Sequence, residues 1–174
     1  MDSVITFLNK VSDNLSAECV LKLLGSVLGN GPGSWERGTH EIRRFLAAQG
    51  IDTNQVVIAD GSGLSRYNLT SARVLTQLLV NAYHHPAVFR ALYTSLPIAG
   101  VDGTLSHRMI GTPAESVIRA KTGTVAGVSS LSGYVPTVGG DTLAFSMIME
   151  HFPGSSRSYR AAQDSIVVLL RQQH

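Results

Sequence analysis

The chain has 174 residues and a formal charge of +2, with 44% hydrophobic and 15% charged side chains. This composition is that of a folded globular protein. The near balance of charge, with no basic cluster among aromatic residues, argues against a nucleic-acid partner. The single cysteine, Cys19, excludes an intrachain disulfide and a cysteine zinc site. Its place in an apolar helical pattern predicts a buried thiol. No His-Glu-x-x-His pattern and no bilayer-length apolar run occur, so we expect no metal, no cofactor and no membrane span.

The first part of the chain is predicted to be helical. Apolar residues at helical spacing predict an amphipathic helix over about 2–11 and a second over about 15–28, ended by Gly29. The start carries no basic leader, so we expect no signal peptide in this chain. Between the two helices stand Ser12, Asp13 and Asn14, which are all favourable N-cap types. Capping the second helix is by itself a sufficient structural reason for this triplet.

The middle of the chain predicts further short elements. Helices are expected over Thr39–Ala48, with Thr39 as its cap, over Ala72–Tyr83, over Ala87–Tyr93 and over about Leu105–Ile110. The short apolar run from Gln55 to Ala59 is typical of a strand.

From Val117 onward the pattern changes from helical to strand-like. Runs over about 117–124, 128–135 and 142–150 are joined by glycine-rich turns and predict an antiparallel three-strand meander. A closing helix is expected over about 157–172. The fold class is therefore α+β, an antiparallel sheet flanked by helices. We expect one domain over 1–174, with a helical part over about 1–112 and the sheet with its closing helix over about 113–174.

The sequence Lys121-Thr122-Gly123-Thr124 lies where the first strand meets its hairpin. Strand alternation directs Lys121 and Gly123 to one face and Thr122 and Thr124 to the other. Lys-Thr-Gly alone is a common tripeptide and also fits an ordinary exposed strand end.

The Ser-Asp-Asn and Lys-Thr-Gly motifs are more specific in combination than either is alone. Ser-Asp-Asn followed by Lys-Thr-Gly, about a hundred residues later, makes up two parts of a three-part signature of penicillin-binding proteins and class A β-lactamases. The third part, Ser-x-x-Lys, is absent, because the three lysines Lys10, Lys22 and Lys121 are preceded at that spacing by Phe, Cys and Ile. The nucleophilic serine and its lysine are therefore missing from this sequence.

The wider sequence resembles the C-terminal part of the D-alanyl-D-alanine carboxypeptidase/endopeptidase family, the class C low-molecular-mass penicillin-binding proteins. The resemblance rests on Ser12-Asp-Asn14, Asp60-Gly-Ser-Gly-Leu-Ser65, Leu96-Pro-Ile-Ala-Gly-Val-Asp-Gly-Thr-Leu105, Arg119-Ala-Lys-Thr-Gly-Thr124, Gly127-Val and Leu131-Ser-Gly-Tyr134. It implies a serine β-lactamase/DD-peptidase-like fold that lacks its N-terminal part. In that family the Ser-x-x-Lys region precedes the point where this chain begins, so the expected departure is a truncation.

The resemblance also implies roles for single residues. Ser12 would relay a proton to the departing D-alanine nitrogen, and Lys121 would supply positive charge beside it. Asn14 would hydrogen-bond the substrate backbone and steady the missing lysine, while Asp13 would cap a helix. Thr122 and Thr124 would bind the substrate carboxylate, with the Thr124 N–H as an oxyanion donor. Gly123 would let the substrate approach closely.

The implied activity is that of a serine-type carboxypeptidase/endopeptidase acting on peptidoglycan stem peptides that end in D-Ala-D-Ala. β-Lactams would inhibit the complete enzyme, which would work in the periplasm or elsewhere outside the cytoplasm, whereas this chain alone would be inactive. The strand over 142–150 is expected to have an unpaired, apolar edge that pairs with the missing N-terminal region or with a second copy; its apolar residues are Leu143, Phe145, Met147 and Met149.

Two rival interpretations stay open. The first, from a different functional class, is a non-catalytic remnant of the family that binds peptidoglycan or a protein partner through the half-cleft, or a product with no role. A β-lactamase is disfavoured, because no Glu-x-x-Leu-Asn deacylation motif occurs in the sequence.

Overall fold

The computed structural model describes residues 1–174, which divide into two compact units. One unit comprises residues 1–12 and 82–174, and the other comprises residues 13–81. The helices are α1 (Asp2–Val11), α2 (Asn14–Leu28), α3 (Trp35–Ala48), α4 (Ala72–Tyr83), α5 (Pro86–Ser95) and α6 (Arg157–Arg171), and the strands are β1 (Arg119–Val125), β2 (Val128–Pro136) and β3 (Thr142–Glu150). The predicted α+β class is confirmed. No helix has the length and apolarity that a bilayer crossing requires.

The unit of residues 13–81 is built on α2 and α3, which pack against each other. Its core consists of Leu46, Ile51, Val56 and Val74, all nearly inaccessible to solvent. Side-chain amides also tie α4 to the end of α3, since the Asn81 Nδ2 donates to the Gln49 carbonyl at 3.0 Å. The predicted starts and ends of α2 and α4 agree with the structure to within a residue.

Two predictions in this unit are wrong. Helix α3 begins at Trp35 and not at Thr39, because the Ser34 hydroxyl accepts a hydrogen bond from the Arg37 N–H and caps it. Thr39 is instead buried within the helix, where its hydroxyl donates to the Glu36 carbonyl. The apolar run over 55–59 forms no strand: a 3-10 turn ends at Gln55, and only Val57 makes a bridge, to Leu69.

The prediction of a buried Cys19 is also wrong, since the thiol is exposed. Helix α2 is apolar on two sides, and only the side carrying Leu21 and Gly25 is buried in its unit. Cys19 shares the other stripe with Leu15 and Leu23, which are 73% and 43% exposed. Periodicity locates an apolar stripe, but it does not show which of two stripes packs.

In the other unit the three strands form the predicted meander, in the order β1-β2-β3 with both pairs antiparallel. One face of the sheet carries Ala120, Leu131 and Phe145, which join Val167 of α6 in the core. The opposite face carries Lys121, aligned with Ser132 and Ser146 in one cross-strand row. The predicted unpaired edge of β3 is confirmed within this sheet. Of the apolar residues expected along it, however, Phe145 belongs to the core, and Leu143 and Met147 pack against the core.

The expected helix over Leu105–Ile110 is not formed. The chain makes a 3-10 turn over Gly103–Leu105 and then a series of turns, with Met109 at a φ of 61°. This path buries both Leu105 and Met109 in the core below the sheet. A regular helix would place these two apolar side chains on one stripe, so the burial pattern alone does not distinguish the two conformations. The single domain over 1–174 stays a prediction.

Candidate functional site

The side chains of Ser12 and Lys121 meet although 109 residues separate them. The Lys121 Nζ donates a hydrogen bond to the Ser12 Oγ at 2.7 Å and a second to the Thr122 carbonyl at 2.9 Å. An ammonium group has three N–H bonds, so one donor is left for a further acceptor. Because the Ser12 oxygen accepts from Lys121, its own O–H remains available to donate to another group.

Ser12 is presented by the end of α1. It is the C-cap of that helix, with a left-handed backbone at φ 59° and ψ 53°, and its N–H donates to the Leu8 carbonyl. A non-glycine residue in this conformation costs on the order of 1 kcal/mol. The helix thus ends at Ser12, and the hydroxyl stands exposed at its C-terminal end.

A charged contact fixes this end of α1. The Lys10 Nζ donates to both carboxylate oxygens of Asp102, at 2.7 and 2.9 Å, and to the Leu96 carbonyl at 2.7 Å. The Asp102 Oδ1 also accepts from the Ile98 N–H at 2.8 Å. The backbone of Gly103 lies so close that a Cβ there would be 2.4 Å from the Lys10 carbonyl oxygen. Little room is left for α1 to shift along this loop.

The same loop is joined to β1. The Ala120 N–H donates to the Pro97 carbonyl at 3.0 Å, and the Ala99 N–H donates to the Ile118 carbonyl at 3.0 Å. Ala120 directly precedes Lys121. The segment 96–102 therefore links the helix that carries Ser12 to the strand that carries Lys121.

The surroundings of Lys121 make its charged form less favourable than it would be in water. Burial lowers the pKa of the Lys121 ammonium below its ordinary value of 10.5, because the charged form loses hydration. The neighbouring positions across the sheet are Ser132 and Ser146, whose hydroxyls bond each other at 2.8 Å and bring no charge to the row. Lys121 is consequently a lysine that can pass a proton more readily than a fully hydrated one.

The rest of the Lys-Thr-Gly-Thr sequence is placed as strand alternation predicts. Thr122 donates from its hydroxyl to the Thr104 hydroxyl at 2.9 Å. Thr124 is exposed near the hairpin. Gly123 shares the face of Lys121, and a Cβ there would lie 2.4 Å from the Ser130 Oγ. The hydroxyls of Ser12, Thr122 and Thr104 and the Lys121 amine thus belong to one unit of the chain.

Asp13 and Asn14 belong to the unit of residues 13–81. The Asp13 Oδ2 accepts from the Ser16 N–H at 2.7 Å and caps α2, as predicted. The hydrogen bonds to Ser16 lower the pKa of the Asp13 carboxyl. Asn14 is the exposed first residue of α2, and its role in substrate binding stays a prediction.

Sequence reasoning missed three residues of the site: Lys10, Asp102 and Thr104. Lys10 occupies the last turn of a predicted helix, where a basic residue is ordinary. Asp102 and Thr104 lie in a glycine-containing loop, where Asp and Thr are common turn residues. The contacts of these three residues join distant parts of the chain, so no local sequence pattern predicts them. The structure brings no three His, Cys, Asp or Glu side chains together as a metal site.

The fold and the Ser–Lys pair together define the class. The chain has the C-terminal part of a serine β-lactamase/DD-peptidase-like fold, and it superposes on penicillin-binding protein 4 from Haemophilus influenzae, solved in complex with a β-lactam, with a TM-score of 0.87. That match has 28% identity and covers 98% of this chain and 41% of the other.

The sequence gives the family. Residues 1–173 match the D-Ala-D-Ala carboxypeptidase 3 (S13) family, and the chain belongs to it. It is 43% identical to the D-alanyl-D-alanine carboxypeptidase of Actinomadura sp. strain R39, over 94% of this chain. It is 35% identical to the D-alanyl-D-alanine carboxypeptidase DacB of Haemophilus influenzae, over 78% of this chain. The chain spans only about 30% of the length of these two relatives.

We expect Lys121 to titrate below pH 10.5. Its pKa is depressed in the folded state, so between that pKa and 10.5 the unfolded chain binds more protons and the free energy of unfolding rises with pH. Below the folded-state pKa the full cost of burying the charge is present. Carbon-13 NMR of the lysine Cε signals measures the titration, and Lys121→Met identifies the signal. A midpoint at 10.5 or above contradicts this.

Lys10→Met should destabilise the chain by about 1–3 kcal/mol, because it leaves the part-buried Asp102 carboxylate without its cation. Lys22→Met is the matched control on an exposed helical position and should change stability by less than about 0.5 kcal/mol. Urea unfolding measures both values. Equal values for the two variants would show that the Lys10–Asp102 contact does not hold α1.

Proposed function

We propose that this chain is the C-terminal part of the catalytic domain of a serine-type D-alanyl-D-alanine carboxypeptidase/endopeptidase that acts on peptidoglycan stem peptides. The observation that carries the proposal is the 2.7 Å hydrogen bond from Lys121 to Ser12, on a chain of the S13 family. This hydrogen bond brings together the Ser-Asp-Asn and Lys-Thr-Gly motifs, whose side chains the proposed acyl transfer needs in one site.

Cleavage of a peptide by acyl transfer needs a nucleophile, a proton for the leaving amine and donors for the developing oxyanion. In the proposed mechanism Ser12 gives its O–H proton to the departing D-alanine nitrogen. Lys121 polarises the hydroxyl through its N–H and replaces the proton. The lowered pKa of Lys121 supports this role, since proton transfer is most efficient when the pKa of the donor lies nearer the working pH.

Substrate binding is assigned to the Lys-Thr-Gly-Thr strand. The terminal carboxylate of the substrate would contact the third N–H of Lys121 and the hydroxyls of Thr122 and Thr124, with the Thr122 hydroxyl turning its proton from Thr104 to the carboxylate. The Thr124 N–H would be one of two oxyanion donors. Gly123 leaves the strand open for close approach of the peptide, and Asn14 would bond the substrate backbone.

The nucleophile must come from polypeptide outside this sequence. No Ser-x-x-Lys occurs among the 174 residues, so the chain alone should neither hydrolyse D-Ala-D-Ala peptides nor be acylated by penicillin. The complex of penicillin-binding protein 4 with a β-lactam supports β-lactams as inhibitors of the complete enzyme. We propose that the complete enzyme acts outside the cytoplasm, on the cell wall.

The partner that completes the sheet would dock along β3. This strand has a neighbour on one side only, so its other edge offers unpaired backbone groups. We propose that the region carrying Ser-x-x-Lys, or a second copy of the chain, pairs there.

A non-catalytic role is the second candidate. The missing Ser-x-x-Lys favours it directly, because a chain with a binding strand and no nucleophile would hold a stem peptide without cutting it. Mixing the chain with a separately produced Ser-x-x-Lys region distinguishes the two: hydrolysis supports the enzyme, and binding without turnover supports the binding module.

The purified chain should bind a peptide ending in D-Ala-D-Ala, and Lys121→Ala should weaken the binding roughly tenfold or more, because a charge-assisted hydrogen bond is lost. Lys22→Ala, at an exposed position of α2, is the matched control and should leave the affinity unchanged. NMR titration measures the dissociation constants. A similar loss in both variants would refute the assignment of Lys121, and labelling of the chain alone by fluorescent penicillin would refute the missing nucleophile.

We expect the chain to self-associate at high concentration through β3. Ile148→Lys places a charge on this edge strand outside the core cluster and should shift the chain toward monomer, whereas Ala126→Lys in the exposed β1–β2 turn should not. Size-exclusion chromatography with light scattering measures the mass. A monomer at every concentration counts against the pairing of two copies along this edge.

A further inference from the structure

We propose that a basic cavity beside the Lys-Thr-Gly strand binds a second carboxylate of the substrate, one carried by the residue after the scissile bond. The inference rests on the proposed function and adds a preference to it: a leaving group larger and more acidic than D-alanine. The cavity has a volume of about 630 Å³. It lies between the 104–108 segment and the start of α6, and its wall includes Thr104, His107, Arg108, Arg157, Arg160 and Asp164.

The cavity adjoins the candidate site through one residue. Thr104 lines the cavity, and its hydroxyl accepts the hydrogen bond from Thr122 at 2.9 Å. Thr122 is a proposed ligand of the substrate's terminal carboxylate. A leaving group that extends past Thr122 on this side therefore enters the cavity.

One pair of charges in the cavity wall is already satisfied. Arg108 donates to the Asp164 Oδ1 from its Nε at 3.0 Å and from its Nη2 at 2.7 Å, and the same Nη2 contacts the Gln163 Oε1 and the Arg160 carbonyl. Asp164 is the only carboxylate in the lining. Arg108 and Asp164 neutralise each other and hold the wall in place.

Two further guanidinium groups are exposed to solvent and have no partner in the protein. The side chains of Arg157 and Arg160 line the cavity and make no hydrogen bond or ion pair, and the imidazole of His107 is likewise without a partner. The cavity therefore carries a net positive charge that no residue of the unit compensates. An anion that enters it gains two unpaired guanidinium donors, which match a carboxylate in geometry.

The position of the two arginines is unfavourable for the helix itself. They lie in the first turn of α6, where the helix dipole is positive, and that turn has no acidic residue and no side-chain cap. Helix stability would be served by acidic residues there. A bound carboxylate would offset the repulsion between the arginines and the helix terminus. Anion binding therefore explains the two arginines, whereas the stability of the helix does not.

Two N-acetylated peptides that differ in one carboxylate test the proposal: one ends in D-Ala-D-Ala and the other in D-Ala-D-Glu. NMR titration of the 174-residue chain should give roughly tenfold tighter binding of the D-Glu peptide, with shifts in the amide signals of residues 155–160. Added salt should reduce the difference, since the site is open to solvent.

The double variant Arg157→Gln, Arg160→Gln should abolish the preference without lowering the thermal midpoint, because it removes charges that oppose the helix dipole. Arg90→Gln, at an exposed position of α5, is the matched control and should keep the preference. Equal binding of both peptides to the unmodified chain, or a preference that survives in the double variant, overturns the cavity as a carboxylate site and leaves the proposed function standing. Binding of neither peptide overturns the proposed function and this inference with it.

Discussion

The contact between Lys10 and Asp102 is the constraint on which the geometry of the site depends. It anchors the last turn of α1 to the loop 96–102, and that loop is hydrogen-bonded to the start of β1. Ser12 is two residues beyond the lysine, and Lys121 is one residue beyond the strand residue that the loop contacts. Two sets of contacts therefore hold the two functional groups 2.7 Å apart. One is the Lys10–Asp102 ion pair, and the other is the pair of backbone hydrogen bonds between the loop and the start of β1.

The partial burial of this contact explains why it can serve as an anchor. The side chains of Lys10 and Asp102 are 18% and 37% exposed, and the lysine also bonds the Leu96 carbonyl. Fully exposed ion pairs contribute little to stability, whereas a lysine with three oxygen partners has few other geometries available. Lys121 differs from Lys10 in having no carboxylate partner, so its two hydrogen bonds, to the Ser12 hydroxyl and the Thr122 carbonyl, are to neutral oxygens. The two lysines thus illustrate a structural and a chemical use of the same side chain.

Sequence patterns predicted the elements whose apolar periodicity is unbroken, namely α1, α2, α4, α6 and the three-strand meander. They were wrong where a local cap or a tertiary contact decides the outcome: Ser34 moves the start of α3 back by four residues, and the burial of Leu105 and Met109 is reached through turns. For the site, the two motifs predicted that Ser12 and Lys121 would converge. The motifs did not predict the roles of Lys10, Asp102 or Thr104. The contacts of these residues span sequence separations of 18 to 92, and such contacts produce no periodic pattern in the sequence.

The backbone of Ser12 has a consequence for how this position tolerates change. Glycine adopts the left-handed conformation without the cost that serine bears, so replacement by glycine would make the end of α1 more stable while removing the hydroxyl. Selection for thermal robustness alone would favour that exchange, and selection for turnover would oppose it. At residue 12 stability and activity thus favour different side chains. In a variant of this chain selected for thermal stability alone, glycine at residue 12 is the expected substitution.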